Sequence, residues 1–115
     1  MINKPEVFIL DVDGVLTTGT FFYDKNGKIL KEFGPDDHDA LNILKKYLSI
    51  LFISADKKGF SISQKRIQKD MGYKLYYVSS QNRYDWIKKK FPKKNVIYMG
   101  DGVFDQYIVK KFFYS

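Results

Sequence analysis

The chain has 115 residues, enough for one ordinary domain and too few for two. It contains no cysteine, which excludes disulfides and thiolate metal sites and fits a reducing compartment. Hydrophobic residues make up 44%, enough for a core, and the nine Tyr and ten Phe suit packed strands. No apolar run approaches the roughly 20 residues of a membrane span, and the N-terminus lacks the apolar stretch of a signal peptide. The expectation is a soluble, cytoplasmic protein with no membrane partner.

The formal net charge is +7. Nucleic-acid binding is one reading of such a charge. The lysines, however, fall as scattered groups: Lys45-Lys46, Lys57-Lys58, Lys88-Lys89-Lys90, Lys93-Lys94 and Lys110-Lys111. Most sit where exposed helix faces or helix ends are expected. A solvated surface is therefore favoured over a nucleic-acid partner, and its positive field would attract phosphorylated small molecules.

Glu6 to Val12 is a continuous apolar run ending in an acid, the pattern of a buried parallel strand. Thr20–Tyr23 and Ile29–Phe33 flank a segment containing Asn26-Gly27, a strong hairpin signal. Asp36 or Asp37 can cap a helix with Leu41, Leu44 and Leu48 on one face. Ile50–Ser54 reads as a second buried strand. Ser61 or Ser63 can open a helix through Ile67 and Met71, stopped by Gly72. Lys74–Val78 reads as a third strand. Ser80 can cap a helix aligning Tyr84, Ile87 and Phe91, with Pro92 beyond its end. Asn95–Met99 reads as a fourth strand, and Asp105–Phe113 as a helix with Tyr107, Ile108 and Phe112 apolar.

Strands alternating with helices predict an α/β fold with a parallel sheet and right-handed crossovers. Ligands bind such sheets at the carboxyl ends of the strands. Asp11, Asp13, Ser54 and Asp101 all fall at or just after a predicted strand end.

The chemistry concentrates in two segments. The first is Asp11-Val12-Asp13-Gly14-Val15-Leu16-Thr17. Two carboxylates so close repel, and a hard cation relieves the repulsion. Gly14 permits a tight turn in which backbone amides can approach a phosphate. The second is Gly100-Asp101-Gly102-Val103-Phe104-Asp105. Alone, each segment could be an ordinary turn or helix cap. Together they bring several carboxylates to one sheet edge, an oxygen-rich set that suits Mg²⁺.

These motifs, with the strand ending in Ser54 between them, resemble motifs one, two and four of the haloacid dehalogenase superfamily in order and spacing. The hairpin directly after the first motif is similar to the small capless branch that contains 3-deoxy-manno-octulosonate 8-phosphate phosphatase and its sialic-acid-pathway relatives. The resemblance runs from about Glu6 to about Phe112. It implies a Rossmann-like three-layer sandwich with a mostly parallel sheet, a projecting β-hairpin and no cap domain. It also implies one phosphatase domain over 1–115, ending before the family's C-terminal edge strand and tail.

By that resemblance, Asp11 is the nucleophile that becomes an aspartyl-phosphate, and Asp13 is the general acid and then the general base. Mg²⁺ is held by the carboxylates of Asp11 and Asp101 and by the Asp13 carbonyl, with Asp105 in support or capping a helix. Ser54 donates to the phosphate, beside Gly14. The third motif, usually a lysine, matches Arg83, with Lys57 as a second candidate cation. The implied substrate is a small phosphorylated metabolite, a sugar or sugar acid. The alternative is a weakly active or inactive domain that binds phosphate or a partner protein.

Some positions depart from the branch. Gly102 stands where a second Asp is usual, and Asp36 and Asp56 stand where arginines are usual. Aspartate would repel a substrate carboxylate that arginine attracts. His38 could contact substrate or simply begin a helix. The hairpin carries Phe21, Phe22 and Tyr23 on one arm and Ile29, Leu30 and Phe33 on the other. Only one of its faces can cover its own core, so the other predicts a homo-oligomer, by the resemblance a tetramer.

Overall fold

The computed structural model describes residues 4–103, 105, 106 and 108, and of Asp36 only the backbone. Four parallel strands form one sheet: β1 (Val7–Asp11), β4 (Ser49–Ser54), β5 (Lys74–Tyr77) and β6 (Val96–Met99). Their order is β5-β4-β1-β6. β1 is flanked on both sides and all five of its residues are buried, which is why Val7–Leu10 are apolar without alternation before Asp11 ends the strand. Between β1 and β4 the chain forms an antiparallel ribbon, β2 (Thr17–Asp24) with β3 (Gly27–Phe33).

Successive strand residues serve opposite layers. Phe8, Leu10 and Phe52 pack with Leu41 of α1 (Asp36–Leu44) and with Ile67 and Met71. Those two belong to a helix that starts as α2 (Phe60–Gln64) and continues with π-helical geometry through Lys65–Met71. Val7, Ile9, Leu51 and Ile53 instead pack with Ile108 and with Ile87 of α3 (Arg83–Lys90). The result is the expected three-layer sandwich. Each fully buried Leu, Ile or Phe contributes roughly 1.5–3 kcal/mol. The hairpin fills the stretch between the first motif and α1, and only a helix and a strand lie between Ser54 and the turn before α3, so neither interval holds a cap domain. Among the described residues, no helix is long and apolar enough to cross a membrane.

Several local expectations are corrected. The hairpin turn is Lys25-Asn26, one residue earlier than the Asn-Gly pair suggests. Gly27, at φ 123°, already pairs with Asp24, and the Asn26 amide donates to Asp24 Oδ1 at 2.7 Å. Pro35, not Asp36 or Asp37, holds the cap position of α1. Gly59 precedes α2, so Ser61 and Ser63 lie inside the helix, and Ser63 is fully buried. Ser80 opens a 3₁₀ turn (Ser80–Asn82) that leads into α3. Gly72 does end its helix, at φ 81°. Asp105, Gln106 and Ile108 are helical; the rest of the expected helix, with Tyr107 and Phe112, lies outside the described residues, as do Lys110 and Lys111.

Candidate active site

The carboxyl ends of β1, β4 and β6 place Asp11, Ser54 and Asp101 along one edge of the sheet. After Asp11 the chain winds into a single turn, in which the Val12 carbonyl accepts from the amides of Val15, Leu16 and Thr17. Thr17 Oγ1 ties the turn by accepting from Gly14 N at 3.3 Å and Gly19 N at 3.1 Å. Gly14 has φ 85°, and a β-carbon there would collide with the Asp101 carboxylate, so glycine is what lets the two motifs meet.

Asp11 is buried, and its Oδ1 accepts from the Val12 amide at 2.8 Å and from Arg83 Nη2 at 3.2 Å. Carboxylate oxygens of Asp11, Asp101 and Asp105 lie within 4.8 Å of one another. Three hard oxygen donors so close form a set that a divalent cation such as Mg²⁺ fits. Asp105 is itself committed: its Oδ1 accepts from Tyr98 Oη at 2.6 Å and Arg83 Nη1 at 3.1 Å, and its Oδ2 from Gly102 N at 2.8 Å. The last contact caps the turn that starts its helix, leaving Asp11 and the exposed Asp101 as the less encumbered oxygens.

Arg83 is only 4% exposed and lies between Asp11 and Asp105, with Nη1 also donating to Tyr98 Oη at 2.9 Å. Its Nε is buried without a partner among the described residues. Burial pushes the Asp11 carboxyl above its usual value, against the pull of Arg83 and the Val12 amide. At Arg83 burial also disfavours charge, but the attraction of Asp11 and the hydrogen bonds to Asp11 and Tyr98 outweigh it and raise its pKa. The partners thus differ in which effect wins. An ionised pair is the better description, since a guanidinium does not give up its proton. Burial likewise raises the Tyr98 phenol, which keeps it a donor to Asp105.

Asp13 lies apart from this cluster. Its carboxylate is 28% exposed and faces Lys31 of β3, with Nζ 3.0 Å from Oδ1 and 3.2 Å from Oδ2. Lys31 Nζ also contacts Asp56 Oδ2 at 2.8 Å and Ser63 Oγ at 2.9 Å, and its side chain is fully buried. Lys28 reaches the same Asp56 oxygen at 2.8 Å and sits 3.8 Å above the Phe21 ring. Burial opposes ionisation of Asp56, but Lys28, Lys31 and the Gly59 amide prevail and hold it at about 2. Asp56 is therefore a paired carboxylate, not the free repelling charge that composition suggests.

Ser54 is buried and its Oγ accepts from Asp56 N at 3.1 Å, which leaves the hydroxyl proton to donate elsewhere. Lys57 is exposed on the loop after β4, and His38 is half-buried on α1. The Asp36 side chain lies outside the described part. Sequence reasoning brought Asp11, Gly14, Ser54, Arg83, Asp101 and Asp105 to this edge and missed Lys28, Lys31, Ser63 and Tyr98. The hairpin lysines gave no signal, because lysine on a ribbon reads as solvent-facing.

No protein-family model matches the sequence, and no curated protein matches it. Solved structures do. The cobalt-bound deoxy-D-mannose-octulosonate 8-phosphate phosphatase of Haemophilus influenzae is 27% identical with a TM-score of 0.68, over 88% of this chain and 61% of that one. The 3-deoxy-D-manno-octulosonate 8-phosphate phosphatase of Moraxella catarrhalis, in complex with magnesium, phosphate and KDO, is 23% identical with a TM-score of 0.75, over 94% and 64%. A Legionella pneumophila protein described as a HAD superfamily (subfamily III A) hydrolase is 24% identical with a TM-score of 0.75, over 94% and 61%. The chain thus spans under two thirds of the length of these proteins. It is built on the fold of the haloacid dehalogenase superfamily hydrolases, the superfamily its motifs resemble.

Proposed function

We propose that this protein is a phosphomonoester hydrolase acting on a small phosphorylated metabolite, a sugar or sugar-acid phosphate. The observation that carries this reading is the separation of two carboxylates that lie two residues apart. Asp11 sits in the acidic cluster with Asp101 and Asp105, while Asp13 stands outside it, partly exposed and paired with Lys31. Paired acids in unlike surroundings are the usual basis for distinct nucleophile and proton-transfer roles.

In this reading an Asp11 oxygen attacks phosphorus. The bond from phosphorus to the alcohol oxygen breaks, and the Asp13 proton passes to that oxygen. Asp13 then removes a proton from water as the water oxygen attacks the aspartyl-phosphate, releasing inorganic phosphate and restoring Asp11. Asp11 and Asp101, with the Asp13 carbonyl, would hold Mg²⁺, and Asp105 would support them through Arg83 and the Gly102 amide. The cation supplies compensation for charge on the phosphoryl oxygens. Ser54 donates its free hydroxyl proton to a phosphate oxygen, and the loop around Gly14 brings backbone near the phosphate. Arg83 holds the nucleophile with one charged hydrogen bond to Asp11 Oδ1 while its other terminal nitrogen grips Asp105, and Lys57, unpaired among the described residues, is left to meet the rest of the substrate.

A homo-oligomer, a tetramer by family resemblance, completes the reading. Phe22 and Leu30, paired across the hairpin, are 55% and 57% exposed and give it an apolar face. A neighbouring hairpin would wall a site that has no cap. Release of phosphate from a panel of phosphometabolites with Mg²⁺ tests the activity, with Asp11→Asn as control. Turnover by wild type and at least a 10³-fold loss in Asp11→Asn are expected, since an amide cannot form the acyl phosphate. Phosphate binding without turnover of any ester would assign the chain to the non-catalytic alternative.

A further inference from the structure

We propose that Lys31 is the positioning residue for Asp13, supplied to the site by the hairpin. The inference rests on the phosphatase reading above, and on a contact that neither the motifs nor the resemblance assigns. The Lys31 side chain is fully buried. An ammonium group buried in this way needs partners for all its donors. Lys31 finds them in Asp13, Asp56 and Ser63, at 3.0, 2.8 and 2.9 Å.

Two features of the chain make this possible. The β2–β3 register shifts between Phe22, opposite Leu30, and Tyr23, opposite Lys28. Ile29 is the extra residue, and the bulge places Lys28 and Lys31 on one side of the ribbon. Residues three apart on a regular strand would face opposite ways. Gly59 is the second feature. A β-carbon there would strike the Asp56 carboxylate and sit 2.9 Å from both Lys28 Cδ and Lys31 Cε.

The partners do not depend on Lys31 equally. Asp56 also accepts from Lys28 at 2.8 Å and from the Gly59 amide at 3.0 Å. For Asp13, Lys31 is the only ion-pair partner among the described residues. Without it the Asp13 carboxyl is a free rotor at a 28% exposed position. With it, both carboxyl oxygens are held from the hairpin side, and the lone pairs facing away stay open to carry the proton that Asp13 gives and later takes back. Proton delivery to the departing alcohol requires that placement, because acid catalysis acts only within hydrogen-bond reach.

Leaving-group dependence separates this role from a structural one. An alkyl alcohol needs a proton as its bond to phosphorus breaks, and 4-nitrophenolate needs little help. The parameter kcat/KM covers only the steps through departure of the alcohol, so slower aspartyl-phosphate hydrolysis does not enter it. Lys31→Met should lower kcat/KM for a sugar phosphate turned over by wild type by about 10²-fold or more, and for 4-nitrophenyl phosphate by less than about 10-fold. Lys31→Arg keeps the charge and should recover part of the selective loss; it carries the test if Lys31→Met does not fold. Lys28→Met, which loosens the grip on Asp56 but leaves Asp13 held, should treat both esters alike. Equal losses on both esters in the Lys31 variants, or a selective loss in Lys28→Met, would overturn the assignment. No wild-type turnover of either ester would instead remove the phosphatase reading itself, and this assignment with it.

Discussion

Arg83 Nη2 donates to Asp11 Oδ1 at 3.2 Å while Nη1 of the same guanidinium donates to Asp105 Oδ1 at 3.1 Å. One cation from the start of α3 therefore spans the carboxylate after β1 and the carboxylate after β6. Its planar fork suits that bridge, and an ammonium could not reproduce both contacts. Arg83→Ala would leave two buried acids without their shared counter-charge. We expect a loss of about 3 kcal/mol in denaturant unfolding, the scale seen when one partner of a buried pair is removed. Arg83→Lys should lose less. Added Mg²⁺ should return part of the stability of Arg83→Ala, because a cation can take over neutralisation of Asp11. An Arg83→Ala protein as stable as wild type in metal-free buffer would show that the bridge contributes nothing.

The acidic cluster sets a second expectation. Saturating Mg²⁺ should raise the melting temperature, by the equivalent of about 2.7 kcal/mol at a hundredfold excess over Kd. Asp101 is exposed, so Asp101→Ala should change metal-free stability little and remove most of the Mg²⁺ effect. Gly14→Ala should also lose the Mg²⁺ effect but should destabilise the metal-free protein as well, because the new methyl group takes the space of the Asp101 carboxylate at a backbone φ of 85°. Ca²⁺ should stabilise the protein yet support little turnover, since its longer and looser coordination misplaces the reacting groups. Equal Mg²⁺ stabilisation of wild type and Asp101→Ala would place the ion elsewhere.

The frame of the molecule was legible because its strands are continuous apolar runs, and because open α/β sheets gather polar groups at strand ends. That logic reached Asp11, Ser54 and Asp101 directly. It failed at the hairpin for a physical reason. Alternation predicts that Lys28 and Lys31 point to opposite faces, and the bulge at Ile29 is a register feature with no signature in composition. Asp56 was misjudged for the same cause, since its partners were out of sight and it read as an unpaired charge. The helix caps failed differently. Ser, Asp and Asn near a helix start are neither necessary nor sufficient, and here Pro35, Gly59 and Asn82 hold the cap positions of α1, α2 and α3.

Asp56 makes the hairpin contact sensitive to acid. Its folded pKa, about 2, lies below the ordinary 3.8. A carboxylate with a depressed folded pKa contributes stability that is fully present above about pH 4 and disappears as pH falls through about 2. Asp56→Asn should therefore lower stability at pH 7 by on the order of 1 kcal/mol. The gap from wild type should close as the pH approaches 2. Thermal unfolding of both proteins across that range checks the claim; a gap that stays constant with pH would assign the loss to packing and not to charge.

The last expectation concerns the face of the hairpin turned away from Lys31. Phe22 and Leu30 pair directly across the ribbon, next to Phe21 and Lys31, so alternation sends them to the opposite side. They are 55% and 57% exposed, and nothing in the described chain covers them. The first side is held to the domain through Lys28, Lys31 and Asp56, which fixes the direction in which the apolar side is presented. A fixed apolar face is a better interface than a mobile one, because little ordering entropy remains to be lost on association. Phe22→Asp should therefore shift sedimentation from an oligomer to a monomer at micromolar concentration. Each catalytic group and the Lys31 contact stay untouched in this variant, so the fold and the Mg²⁺ effect should be retained. If a neighbouring hairpin walls the site, KM should rise at least about tenfold on dissociation, while an aryl phosphate that needs no enclosure loses less. A wild-type protein that sediments as a monomer with full turnover would rule out the assembly and leave the hairpin's apolar face to another partner.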